Sequence, residues 1–388
     1  MNRPARPAAA LALAAAALLT GCGSPAPHVP GPAAEAPPGG TPFLATSLVT
    51  AAGTWAVAVM GGSVAQENNF WQLFARPTGS PFWKLVTPPG TPDNGGLVLA
   101  GVGGSLITGF RPSQYLTFTP LTITRNAGQA WSSTGPLDGA LADVPDALSA
   151  ASATGNLLAL LADGTAELAA PGYTTWTTIA TQRSLAATSP GRSCGLQNLT
   201  AAAFSPSGQP LFGGTCSHPG TAGIFAAAGG TWHAAGPALP AALASQPVQV
   251  LRLTSTASST IALLAAGTGP AASLLAAWSA DNGSHWILSP PLRLNGTSLS
   301  SASFGPGDTT AVVLNSSRGQ TVAGPGAPWR ELPALPPGTA TLAAGPAGAL
   351  QALTVDRTKM TVWQLAPRSP AWARAQTINV PVQFGSSS

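Results

Sequence analysis

The stretch Ser273-Leu-Leu-Ala-Ala-Trp278-Ser-Ala-Asp281-Asn-Gly283-Ser-His285-Trp286-Ile-Leu288 decides the architecture of this chain. An apolar run ends at Trp278. A polar turn with Asp281 and Gly283 follows, and a second short apolar run begins at Trp286. Two short β-rich runs around a glycine-containing turn read as a hairpin. The same grammar extends upstream. Pro247 to Thr254 and Thr260 to Ala265 each predict a strand, with a turn at 255–259 and a Gly/Pro loop at 267–270. The third strand is then Ser273 to Trp278 and the fourth His285 to Leu288.

The tryptophan that follows the turn recurs along the chain. Trp83, Trp131, Trp176, Trp232, Trp286, Trp329 and Trp372 are separated by 48, 45, 56, 54, 43 and 43 residues. A period of about 40–55 residues built from short strands is the mark of a β-propeller, one blade per period. Residues 43–384 therefore predict an all-β fold, a seven-bladed β-propeller of four-stranded antiparallel blades. Residues 385–388 form a loose tail. Small-residue runs such as Leu148 to Thr154 suit the crowded inner strands, and Gly101 to Gly104 reads as a turn.

The turn of the quoted stretch, Ser279-Ala-Asp281-Asn-Gly283-Ser-His285-Trp286, resembles the Asp-box of sialidase-type (BNR-repeat) propellers, S-x-D-x-G-x-x-W. Thr124-Arg-Asn126-Ala-Gly128-Gln-Ala-Trp131 resembles it with Thr for Ser and Asn for Asp. A short carboxylate or amide can bond the N–H groups of its own turn. Glycine supplies the positive φ, and tryptophan packs beneath. The resemblance implies that Ser279, Asp281, Gly283 and Trp286, with Asn126, Gly128 and Trp131, are structural staples away from the catalytic face. The other periodic tryptophans keep only part of the motif.

The resemblance also implies what a sialidase would need: an arginine triad, a Tyr–Glu pair and an Asp at the centre. The chain has two tyrosines, Tyr115 and Tyr173, and neither falls on an inner strand beside a Glu. Gly109-Phe110-Arg111-Pro112 is the nearest approach to the family's arginine motif, and it lies at the end of a second strand. No facing carboxylate pair, metal motif, nucleophile elbow or phosphate loop is visible. No catalytic residue, metal ligand or cofactor is therefore assigned. A divergent exo-glycosidase remains an alternative.

The N-terminus has its own logic. Arg3 and Arg6 precede the apolar run Ala8 to Leu19, which is too short to span a bilayer. Leu19-Thr20-Gly21-Cys22 follows directly. The arrangement is that of a secretory signal and resembles the lipobox of bacterial lipoproteins. The resemblance implies a signal peptide over 1–21 and a lipidated Cys22, anchored to the outer face of the cell membrane; an ordinary signal peptide is the alternative. Residues 22–42 contain seven prolines and read as an extended spacer. At roughly 3 Å per residue it reaches up to about 60 Å.

Charged residues make up 7% of the chain, against roughly 25% in an average domain. Without Arg3 and Arg6 the remaining charges nearly balance, which argues against nucleic acid as a partner. Once Cys22 is set aside, Cys194 and Cys216 remain, flanking a hairpin turn predicted at Ser205 to Gly208. In an oxidising compartment they predict a disulfide.

Function is then expected on loops. The loops between second and third strands, with those between blades, carry Glu67, Asn68, Asn69, Arg111 and Tyr115 as a candidate binding face. The expected protein is a monomeric, non-catalytic, surface-anchored propeller that binds an envelope protein or glycan. An envelope assembly scaffold is the other alternative, and plain solvated loops are the bland reading of the same residues.

Overall fold

The computed structural model describes residues 46–61, 69–88, 97–110, 121–133, 147–256, 258–305, 309–314 and 317–380. Among them the chain forms antiparallel sheets of consecutive strands. The first sheet is β1 (Ser47–Thr50), β2 (Gly53–Gly61), β3 (Asn69–Pro77) and β4 (Lys84–Leu85). The second is β5 (Leu97–Val102), β6 (Ser105–Phe110), β7 (Leu121–Thr124) and β8 (Ser132–Ser133). The third is β9 (Ala147–Ala150), β10 (Leu157–Leu160), β11 (Thr165–Ala169) and β12 (Trp176–Thr181).

Next come β13 (Leu196–Phe204), β14 (Pro210–Cys216), β15 (Gly223–Ala228) and β16 (Thr231–Ala234). They are followed by β17 (Val248–Ser255), β18 (Thr260–Ala266), β19 (Ser273–Ser279), β20 (Ile287–Leu288) and β21 (Leu292–Arg293). These nine strands form a single sheet rather than two separate ones, because Thr215 and Cys216 of β14 pair with Gln249 and Val248 of β17. Glycine makes this junction possible. A Cβ on Gly213 would stand 2.5 Å from Val250, so only glycine lets β17 come so close. Two four-stranded sheets complete the chain. One is β22 (Leu299–Phe304), β23 (Thr310–Leu314), β24 (Arg318–Val322) and β25 (Arg330–Glu331). The other is β26 (Thr339–Ala344), β27 (Leu350–Asp356), β28 (Lys359–Leu365) and β29 (Ala373–Asn379).

The sheets stack face to face, and each interface is an apolar cluster. Val57, Trp71 and Leu73 of the first sheet meet Leu97 and Leu106 of the second. Ile107 and Ile123 of the second meet Leu148 and Leu157 of the third. Leu158 and Leu160 meet Phe204 and Phe212. Within the nine-stranded sheet Leu211 and Ile224 meet Val250 and Leu275. Leu263 and Leu274 then meet Val312 and Leu314. The stack closes on itself, with Ala56, Met60 and Phe74 of the first sheet packed on Leu353, Met360 and Val362 of the last. First and last sheets are each built from one contiguous stretch of chain, so closure is by packing and hydrogen bonds, not by strand exchange.

Sequence reading placed the strands of the quoted repeat within one or two residues, the fourth starting at Ile287 instead of His285. It missed two short helices, α1 (Gln182–Ala186) and α2 (Ser189–Cys194). Thr181 caps α1 with a capping box, and Thr188 caps α2. The inner strand expected from Leu148 to Thr154 ends at Ala150 and turns. Among the described residues no helix is long and apolar enough to cross a membrane.

Candidate functional site

The two motif turns have one geometry. In the first, Ser279 Oγ donates to Asp281 Oδ1 at 2.9 Å and accepts from Gly283 N at 2.8 Å. Asp281 Oδ1 also accepts from His285 N at 2.8 Å. In the second, Thr124 Oγ1 donates to Asn126 Oδ1 at 3.0 Å and accepts from Gly128 N at 3.0 Å. Asn126 Oδ1 accepts from Ala130 N at 2.9 Å. The backbone N–H of His285, with its imidazole 2.5 Å from the carboxylate, holds the Asp281 pKa down to about 2.

The glycines of both turns have positive φ, and each touches the preceding repeat. A Cβ on Gly128 would lie 2.5 Å from Val86, and one on Gly283 2.8 Å from Ala235. The tryptophans follow. Trp131 Nε1 donates to the Val86 carbonyl at 3.0 Å, and Trp286 Nε1 to that of Ala235 at 2.6 Å. Trp329 reaches Ser289, and Trp372 reaches the Pro333 carbonyl, each at 3.1 Å. Trp83 reaches Gln351 of the last sheet at 2.9 Å. These tryptophans thus peg successive repeats together, and Trp286 also reaches its own turn as expected, its Nε1 donating to the Gly283 carbonyl at 3.1 Å. Trp232 instead lies against Phe212, ring centroids 5.3 Å apart.

None of these staple residues lines the central channel, which has a volume of about 200 Å³. Its lining comes from the innermost strands β1, β5, β9, β13 and β17, with Phe304 of β22. The lining residues include Ser47, Ser149, Thr200, Thr254 and Ser255 beside aliphatic Val49, Leu97 and Leu99, with the Ser47 and Thr200 hydroxyls donating to the Leu342 and Val250 carbonyls. Arg252 supplies a cation, its Nη1 donating to the Leu251 carbonyl at 2.8 Å. Sequence reading missed Arg252. It looked like an ordinary polar position on a strand.

The expected candidate face cannot be placed in the same way. Glu67, Asn68, Arg111 and Tyr115 lie outside the described residues, and Asn69 is described only as the first backbone position of β3. Cys22 also lies outside them. Cys194 and Cys216 are joined by a disulfide with Cα atoms 5.1 Å apart, tying the end of α2 to the end of β14. Among the described residues, Tyr173, Glu167 and Glu331 each have separate partners and form no glycosidase site. Tyr173 donates its hydroxyl to the Gly155 carbonyl at 3.0 Å, and burial raises its pKa. Glu167 faces Thr178 on β12, with its pKa raised first by burial. Glu331 pairs with Arg318 at 3.3 Å on the surface. Among the described residues no group of three or more His, Cys, Asp or Glu is placed to hold a metal.

No protein-family model and no curated protein matches the chain. Solved structures do. A Bacteroides uniformis protein described as a candidate 6-phosphogluconolactonase is similar, with TM-score 0.51 and 13% identity over 84% of this chain and 96% of that one. A Lactobacillus plantarum protein is similar with TM-score 0.52 and 10% identity, over 84% and 96%. The six-bladed β-propeller lectin of Aleuria aurantia gives TM-score 0.40 and 10% identity, over 88% and 96%. At such identities the likeness concerns the fold alone. With its closed ring of antiparallel sheets around a channel, the chain is an all-β protein of the β-propeller kind.

Proposed function

We propose that the chain is a non-catalytic, surface-anchored propeller lipoprotein that binds a protein or glycan of the bacterial cell envelope. Its blades number seven if the nine-stranded sheet is taken as two, with β1, β5, β9, β13, β17, β22 and β26 innermost. The observation that carries the binding reading is the channel. Its described wall combines serines, threonines and aliphatic residues on a scaffold pegged from repeat to repeat. Such a wall can orient a ligand by hydrogen bonds and shape. The loops bearing Glu67, Asn68, Asn69, Arg111 and Tyr115 form a second contact surface in this proposal, on the strength of sequence alone.

Anchoring rests on Leu19 to Cys22. Cys22→Ala releases the protein from the membrane fraction or leaves it unprocessed; unchanged fractionation and migration would overturn the anchor. For function, the wild-type protein is titrated against purified envelope polysaccharides and cross-linked to envelope proteins in cells. It is also incubated with 4-methylumbelliferyl glycosides. The proposal expects retention of an envelope component without turnover. Glycoside hydrolysis above the blank, or no retained component, contradicts it.

A further inference from the structure

The turns that join third to fourth strands follow one rule with one exception. In each, the third residue of a four-residue turn has positive φ. After β3, β7, β11, β15, β19 and β24 that residue is Gly79, Gly128, Gly172, Gly230, Gly283 and Gly326. After β28 it is Arg368, at φ 65°. The turn itself does not change. Ser80 N donates to the Pro77 carbonyl and Ser369 N to that of Ala366, each at 2.9 Å. Ser80 Oγ and Ser369 Oγ then accept from Phe82 N and Ala371 N. Glycine is the residue this backbone favours, and a side chain there is strained. The last turn keeps an arginine where glycine serves better, so the reason for it lies outside the turn.

Arg368 lines a cavity of about 270 Å³ between the last two sheets. Leu332, Ala344, Leu350 and Leu365 give it apolar walls, and Thr309 adds a hydroxyl. Of its described lining only Ser47 and Phe304 also face the channel. Its volume falls just under the roughly 300 Å³ at which small-molecule pockets begin, so its ligand is small. Arg368 is exposed, which puts its charge on the solvent side of the cavity. Among the described residues no carboxylate pairs with it, and none lines the cavity. The planar fork of a guanidinium matches a carboxylate with two parallel bonds. An apolar recess beside an unpaired cation suits a molecule with a hydrocarbon end and an acid end.

We propose that this cavity binds a small monocarboxylic acid, its hydrocarbon end among Leu332, Ala344, Leu350 and Leu365 and its carboxylate at Arg368. The inference goes beyond the binding reading above and does not rest on it. It puts a ligand among turns that the sequence reading treated as structural staples alone. The hydrocarbon can be an alkyl chain or an aromatic ring, and the probes separate these. Calorimetric titrations of the full chain use hexanoate and phenylacetate, each against its own amide. Acetate serves as the acid that lacks a hydrocarbon end. At least one of the two larger acids binds, and which one binds identifies the hydrocarbon. Its amide binds about 10–100-fold more weakly, the scale of a lost charge-assisted hydrogen bond. Acetate is also weaker, because it buries little apolar surface.

Arg368→Gly weakens the bound acid by a similar factor and leaves the fold intact, because glycine is what the six related turns carry. Arg368→Lys keeps part of the affinity. Arg357→Gly, at another exposed arginine with positive φ, keeps all of it. Binding of neither acid, equal binding of acid and amide, acetate binding as tight as that of the larger acid, or full affinity in Arg368→Gly overturns the proposal. If Arg368→Gly does not fold, Arg368→Lys and the acid–amide contrast on the wild type decide.

Discussion

Two junctions of the ring are built differently. Where Trp286 meets the preceding repeat, its indole N–H finds the backbone carbonyl of Ala235, and the ring is only half buried. Where the first sheet meets the last, Trp83 is 2% exposed and surrounded by side chains. Its indole donates to Gln351, Gln376 holds both its backbone N–H and its carbonyl at 2.8 Å, and the Arg76 guanidinium stands 5.9 Å from its ring. Neighbouring repeats are held close by a short connection, and there the indole meets only backbone carbonyls, those of Ala235 and of Gly283 in its own turn. The closing junction brings together residues 268 and 293 positions apart. Its loop entropy is larger, and purpose-built side chains offset it.

The sharpest way to break this comparison is at Trp83. Trp83→Ala removes a fully buried aromatic and costs about 3–5 kcal/mol. Trp286→Ala, half buried, costs less, and thermal melts of the two variants rank them. Equal shifts would mean that the closing junction is not special. Next in size is the disulfide. Cys194→Ser with Cys216→Ser opens a 22-residue loop, worth on the order of 3 kcal/mol. That loss should be local to the nine-stranded sheet and additive with Trp83→Ala.

Gln376→Ala comes third. It removes two hydrogen bonds to the Trp83 backbone and costs about 1–3 kcal/mol. The smallest effect belongs to Asp281→Asn, because the side chain is exposed and the Asn126 turn shows that an amide oxygen can make the same bonds. It carries a pH signature. A carboxylate whose folded pKa is about 2, below its ordinary 3.8, stabilises the fold above about pH 4. That contribution fades as pH falls toward 2. The melting difference between wild type and Asp281→Asn should shrink over the same window, and a constant difference would contradict the assignment.

Much of this ring was legible in the sequence, and the reasons are local. Val248 to Leu288 carries runs, turns and glycines whose meaning depends only on near neighbours. The helices at 182–194 were not legible, since segments of five and six residues show no helical period. The partners of Trp131 and Trp286 lie 45 and 51 residues away in the preceding repeat, so no spacing rule names them. The register slip of β17 against β18 had a faint signal. Apolar residues at 248, 250, 251 and 253 break a strict alternation, which is how a bulge reads in sequence. The pairing of β14 with β17 needed Gly213 to be seen against Val250.

The central claim is that the ring closes through Trp83 on the last sheet. A double-mutant cycle between Trp83→Phe and Gln351→Leu tests it most directly, because Phe keeps the packing and removes the indole N–H. The account predicts a coupling of about 0.5–1.5 kcal/mol in urea unfolding, the scale of a direct buried hydrogen bond. Additive losses from these two positions would contradict it.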